Sequence, residues 1–388
     1  MLGGEHGAAG QVADMVIGDF LKWTRNASAT DRAAAATALA HAYLVDELDL
    51  DTRCAAEAAL TYLLDDPSPK VRLALAEVLA HSPGAPIQVI SGLADDNPDI
   101  AGLVLARSPI LQEYDLVDRV FAGRTDTQCA IAGRPQVPMA LSAAIAEVGC
   151  AESCVALLRN DGADIKALSF RRMSERHGAV ADVRGALLDD VRLPSDCRYH
   201  LLDHVSQALA SSPLLLRVVG EARADRLTRE ACSRASVQIL DLTPVEDFPA
   251  LISHLRLSGE LTTSFLIRTV THGKIDFFGA ALSALTGQSE TRVRLILSSR
   301  QRSVLVALFA KAGLPASAHQ ILGDAIFLWH DVARGKRLAG AQEISYELLQ
   351  RTSCEPGGRG DLARLLKGIH VDLLRQNARN HAVEIAAA

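Results

Sequence analysis

The sequence predicts an all-α chain built mainly from stacked helix pairs, and three observations predict it. Apolar residues fill 49% of the 388 positions and aromatic ones only 4%, so the core is drawn from Leu, Ala, Val and Ile. That mixture suits closely packed helices better than a sheet, where β-branched and aromatic side chains are enriched. Alternating polar–apolar runs bounded by turn residues are nearly absent. A capped-helix pattern also recurs along the N-terminal half.

The pattern is clearest in "LLDDPSPKVRLALAEVLA", Leu63 to Ala80. Leu63 and Leu64 close one apolar run, and Asp65, Asp66 and Pro67 break it. Ser68 is the expected N-cap, its hydroxyl accepting from a free N–H of the first turn. Pro69 then occupies the first helical position, where a missing N–H costs nothing. Val71, Ala74, Leu75, Val78 and Leu79 follow at helical spacing and form the buried face, with Lys70 and Glu77 in solvent. "LADDNPDIAGLVLARS" repeats the arrangement: Asp95 and Asp96, Asn97 as cap, Pro98, then Ile100, Leu103 and Val104 as the stripe. Ser68 and Asn97 lie 29 residues apart, and looser echoes follow at Asp126, Asn160-Asp161 and Asp189-Asp190. A period near 30 residues reads as a HEAT- or armadillo-like helical-repeat solenoid. The acidic pairs read as caps that compensate the helix dipole.

Taken in order, residues 1–30 form an N-terminal segment, Gly/Ala-rich and partly frayed, with a helix containing Phe20, Leu21 and Trp23. Residues 31–211 form the helical-repeat domain. Its first helices begin at Asp31 and Asp51, both read as caps, and many of the later ones end at Gly, the usual left-handed C-cap. The repeat signal fades between 211 and 245, so residues 212–353 are expected to be a less regular helical region that includes the long helix of Trp329. Residues 354–388 are a Gly-rich linker, "CEPGGRG", and a terminal amphipathic helix capped by Asp361. Leu362, Leu365, Leu366, Ile369 and Leu373 give that helix one continuous apolar stripe, with Arg364, Lys367 and Arg375 on its polar side. Such a stripe must dock, either on the chain's own body or on a partner or second copy.

Three further stretches carry a family likeness: "SPILQEYDLVDRVFAGRTDTQCAIAGRPQVPMALSAAIAEVG", "SCVALLRNDGADIKALSFRRMSERHG" and "HGKIDFFGAALSALTGQSETRVRLILSS". Together they resemble the bacterial family called domain of unknown function 2336, over roughly residues 30–335. The resemblance implies a helical-repeat protein of the bacterial cytoplasm. Its motifs are patterns of packing and capping, so it assigns no functional residue.

Candidate chemistry is sparse. In "SDCRYHLLDH", Cys197, His200 and His204 fall at i, i+3 and i+7 and share a helix face. Sulfur and imidazole at that spacing make them weak candidates for a zinc site, with Asp203 or a neighbouring helix completing the shell. The metalloprotease pattern is absent, since no Glu follows the first His. Cys150 and Cys154 are four apart, one more than a redox pair uses, and read as small core residues. There is no Gly-x-Ser-x-Gly elbow and no phosphate loop, so no catalytic or cofactor-binding residue is assigned and no cofactor is expected.

Two arginine clusters invite a nucleic-acid reading: Arg171, Arg172 and Arg176, and Arg292, Arg294, Arg300 and Arg302. A net charge of −6 and few aromatics weigh against it. The charge is uneven, with 11 Lys and Arg against 21 Asp and Glu in residues 1–160, and 29 against 25 in residues 161–388. Seven scattered cysteines do not make a disulfide framework. No apolar run is long enough to span a membrane, and the N-terminus lacks a signal-peptide core, so the expected location is the cytoplasm. The expected function is that of a non-enzymatic interaction protein, an adaptor or regulator binding another protein or a second copy. The alternative is a ligand- or metal-binding helical protein, with an enzyme built in the solenoid groove as its extreme form. Nucleic-acid binding comes third.

Overall fold

A computed structural model describes residues 18–20, 22–44, 48–353 and 360–387. The Gly/Ala-rich start, expected to be frayed, and residues 354–359 of the expected linker therefore lie outside the described residues, as does Leu21. The fold is all-α: among the described residues there is no strand, only an isolated bridge between Val137 and Ala163. The chain divides into two compact units, Met1–Leu193 and Pro194–Ala388. The division falls ahead of the 211–245 interval in which the sequence repeat fades.

Unit 1 runs α1 (Ala29–Tyr43), α2 (Leu50–Tyr62), α3 (Pro69–Leu79), α4 (Ile87–Ala94), α5 (Pro98–Arg107), α6 (Glu113–Ala122), α7 (Thr125–Ala132), α8 (Met139–Val148), α9 (Ala151–Leu158), α10 (Ala167–His177) and α11 (Ala181–Asp189). Each odd-numbered helix packs on the odd-numbered helix before it. The even-numbered helices form a second row, in which the α4–α6 step is made by Arg119 donating to the Ala94 carbonyl and pairing with Asp95. Sequential helix pairs packed in two rows are consistent with helical repeats, and α3 and α5 are row neighbours, as the recurring Pro pattern predicts. Val71, Ala74, Leu75 and Leu79 are buried and Lys70 and Glu77 exposed as expected, whereas Val78 is only half-buried.

The capping chemistry differs in detail. Ser68 sits at the N-cap of α3 but its hydroxyl makes no capping bond; the Asp66 carboxylate accepts from the Ser68 N–H instead, at 2.8 Å. Asn97 caps α5 through the Ile100 N–H. Ser28 and Asp49 cap α1 and α2, not Asp31 and Asp51, which lie within the first turns. The second acid of each Asp-Asp pair also anchors an arginine. Arg32, the fourth residue of α1, grips both oxygens of Asp66, and Arg72, the fourth residue of α3, grips both of Asp96. The N-terminal ends of α1, α3 and α5 are stitched side by side in this way.

Glycine C-caps are also divided between the units. Gly123, Gly133, Gly149 and Gly178 follow helices of unit 1 with negative φ, so none is a left-handed cap. There the terminal carbonyls are satisfied from the next repeat. Arg134 donates to the Leu105 and Ser108 carbonyls, Asn160 to those of Ala132 and Arg134, and Arg176 to those of Ala146 and Gly149. A helix end left without such partners would expose unpaired carbonyls at its negative pole. All the positive-φ glycines among the described residues, beginning at Gly220, belong to unit 2.

Unit 2 runs α12 (Ser195–Ala210), α13 (Pro213–Val219), α14 (Glu221–Leu242), α15 (Phe248–Leu257), α16 (Thr263–Thr271), α17 (Ile275–Thr286), α18 (Glu290–Ser298), α19 (Arg302–Lys311), α20 (Ala316–Ala333), α21 (Ala341–Ser353) and α22 (Asp361–Ala387). Two-row packing gives way to one body in which α16 touches α17, α20, α21 and α22. Phe277, Phe278 and Phe309 are fully buried in a single apolar core. Gly273 has φ +80°, and the Trp329 ring lies so close that any Cβ there would meet it at 2.8 Å, while the indole N–H donates to the Val270 carbonyl. This is why "THGK" carries a glycine. The stripe of α22 docks on this body: Leu366, Ile369 and Leu373 are buried in the core, and Leu362 and Leu365 pack at its margin.

Candidate functional site

The residues singled out for chemistry come first. Cys197 is buried in α12, while His200 and His204, one turn apart, are half-buried with ring centroids 5.1 Å apart. A third imidazole, His254 of α15, lies edge-on to His200 at 5.8 Å. Among the described residues no group of three His, Cys, Asp or Glu side chains stands where it could hold a metal ion. Asp203 lies instead beside Glu260, in a cleft of about 330 Å³ that also holds Tyr199 and Ser236. Burial, and the Asp203 carboxyl next to it, push the Glu260 carboxyl above its usual value.

Cys150 is the N-cap of α9, its sulfur accepting from the Ser153 N–H at 3.4 Å. Cys154 is fully buried, and burial pushes its thiol up to about 12. Cys129, beside Cys150, is pushed up to about 11, again mainly by burial. Thiols raised so far carry almost no thiolate at neutral pH, which makes them poor nucleophiles.

The arginine clusters are largely occupied with structure. Arg172 forks onto Glu147, Arg176 clamps the end of α8, Arg300 pairs with Asp331 at 2.9 Å, and Arg302 pairs with Asp324. Arg294 lines a cavity of about 380 Å³ floored by Phe248, Ile275 and Leu297. The two clusters therefore do not form a free phosphate-gripping face.

What the structure adds is an apolar edge. Leu50, Ile87, Tyr114, Met139 and Leu168 are each the first or second residue of α2, α4, α6, α8 and α10, and each is at least half exposed, Leu50 by 76% and Leu168 by 74%. No large apolar side chain of α1, α3, α5, α7 or α9 is exposed to that degree among the described residues. C-terminal ends meet in the α4–α6 and α8–α10 steps, where Arg119, near the end of α6, reaches the last carbonyl of α4 and Arg176, near the end of α10, reaches the end of α8. The N-terminal turns of α4 and α6, with Ile87 and Tyr114, and those of α8 and α10, with Met139 and Leu168, therefore lie at the opposite ends of these helix pairs. Sequence periodicity does not mark these residues, because each falls at a helix start, outside the buried stripe. The signal that could have found them is an apolar residue directly after a break, as in Pro86-Ile87 and Pro138-Met139.

Among the described residues no helix is long and apolar enough to cross a membrane. No curated protein matches the chain, and no solved structure does. A family model described as "Uncharacterised protein conserved in bacteria (DUF2336)" matches residues 100–355, a span that starts and ends later than the likeness read from the sequence and crosses from unit 1 into unit 2. On that match over most of its length, the chain belongs to the DUF2336 family of bacterial proteins.

Proposed function

We propose that this is a non-enzymatic interaction protein whose first unit is a HEAT- or armadillo-like repeat array that binds another protein along its even row. The observation that carries the reading is the line of exposed apolar side chains, one at the start of each of five successive even-numbered helices. Single exposed apolar residues are ordinary on any surface. Recurrence on one row, with no large apolar side chain so exposed on α1, α3, α5, α7 or α9 of the other, is what an extended recognition surface requires. A protein partner suits it better than a small ligand, because the apolar side chains are spread over the starts of five helices. We place the protein in the cytoplasm, where scattered thiols such as Cys54 and Cys129 stay reduced.

The test is a triple variant, Tyr114→Ser, Met139→Ser and Leu168→Ser, compared with wild type by affinity purification from a bacterial host that carries the protein. The three side chains are exposed, so circular dichroism should show an unchanged fold and melting within about 2–4 °C of wild type. A partner recovered in equal stoichiometry by wild type and by the folded variant would sink the proposal. Loss of the partner, or of a dimer seen by sedimentation, supports it.

A further inference from the structure

The terminal helix α22 has a second face. While Leu366, Ile369 and Leu373 enter the core, Asp372, Arg375, Gln376 and Arg379 recur at i, i+3, i+4 and i+7 alongside them. Opposite stands α14 with Arg234, Gln238 and Asp241, also on one face. Between the two lies a concavity of about 440 Å³, whose wall is completed by Arg268 of α16 and Lys274 of the turn after it.

The charges in this concavity do not balance. Asp372 is shared by Arg268 at 3.3 Å and Arg234 at 3.8 Å, and Asp241 is taken by Lys274. Arg375 and Arg379 stand exposed, and among the described residues no carboxylate pairs with either. Five cationic side chains thus face two carboxylates, an excess of three positive charges within a chain whose net charge is −6. Like charges gathered in a concave, partly desolvated site repel one another unless an anion enters.

We propose that this concavity is a binding site for a small phosphate-rich anion of the di- or triphosphate class. Guanidinium forks match phosphate oxygens in geometry as well as charge. A single phosphate brings about −1.5 to −2 charges, too few to offset the excess, whereas two or three linked phosphates meet it. The volume is that of a small-ligand pocket rather than of a groove that tracks a polymer. No phenyl or indole ring lines it among the described residues, so the stacking platform that single-stranded nucleic acid uses is missing. The Gln238 and Gln376 amides supply neutral donors beside the charges. The site lies outside the apolar edge and stands or falls independently of it.

Calorimetric titration of the full-length protein tests it, at an ionic strength of about 0.15 M so that loose surface attraction is screened. Pyrophosphate and tripolyphosphate are expected to bind one per chain with Kd below about 1 mM, at least about tenfold tighter than orthophosphate. The double variant Arg375→Ala, Arg379→Ala, both exposed, should lose about tenfold or more in affinity while melting as wild type does. The control Arg364→Ala, Lys367→Ala, which removes two exposed cations of the same helix outside the concavity, should stay within about twofold. ADP binding as tightly as pyrophosphate identifies a nucleotide as the source of the phosphate chain, and ADP failing where pyrophosphate binds identifies a free polyphosphate. The proposal is overturned if neither polyphosphate binds up to about 10 mM. Equal affinity in wild type and the Arg375/Arg379 variant would overturn it too. So would a single-stranded oligonucleotide bound through the same two arginines in the absence of pyrophosphate binding.

Discussion

Replacing Asp96 by Asn leaves the half-buried Arg72 guanidinium without its anion, and the expected loss is about 1.5–3 kcal/mol, the range for hydrogen bonds to charged groups. Burial alone would raise the Asp96 carboxyl, but Arg72 and the Asn97 N–H outweigh it and hold it below the usual aspartate range. A carboxyl depressed on folding stabilises the protein above its ordinary value and loses that contribution as pH falls through the folded one. The gap between wild type and Asp96→Asn in urea melts should therefore be full at neutral pH and close in acid; a gap independent of pH would refute the ion pair. At this scale the core face of α3 was legible in the sequence, because helical spacing reports burial directly. The partnership of Arg72 with Asp96 was not, because a cap and an ion-pair acceptor use the same side chain, and only the adjacent helix tells them apart.

The same limit governs the helix ends. An expectation of left-handed glycine caps holds for Gly287 after α17, with φ +66°, but not in unit 1, where side chains from the next repeat close the carbonyls. Arg134 is the clearest case, reaching two carbonyls at the end of α5 from the end of α7. Arg134→Ala should cost about 1–3 kcal/mol, the penalty for leaving buried acceptors unpaired. Arg134→Lys should recover only part of it, since a single ammonium on a flexible stem does not reproduce a planar fork that reaches two carbonyls. Full recovery by Lys in thermal melts would show that charge alone, acting on the helix dipole, carries the effect. Both the clamps and the exposed edge of the even row depend on which helices become neighbours. A period of about 30 residues announces that repeats stack, but not which side chain at a helix end meets which carbonyl.

At the scale of the molecule, the apolar stripe of α22 was legible and its docking place was not, because an amphipathic face states that burial occurs without naming the surface. The cations of the phosphate site are spread from Arg234 to Arg379, and no local pattern joins them. The docking can be tested by two truncations, one on each side of the stripe. Ending the chain before Asp361 removes Leu366, Ile369 and Leu373 from the core of unit 2. Each buried side chain of this kind is worth about 2–5 kcal/mol, so the three together rival the whole stability of a typical domain, about 5–15 kcal/mol. Unit 2 should then lose its cooperative melt and expose its core to proteolysis. Ending the chain after Leu373 removes side chains that are exposed from Leu374 to Ala386, so the melt should stay within about 2–4 °C of wild type. That second chain lacks Arg375 and Arg379, and it should fold normally yet fail to bind pyrophosphate. If the shorter chain instead melts as wild type does and only loses association, the stripe's true place is on a partner or a second copy.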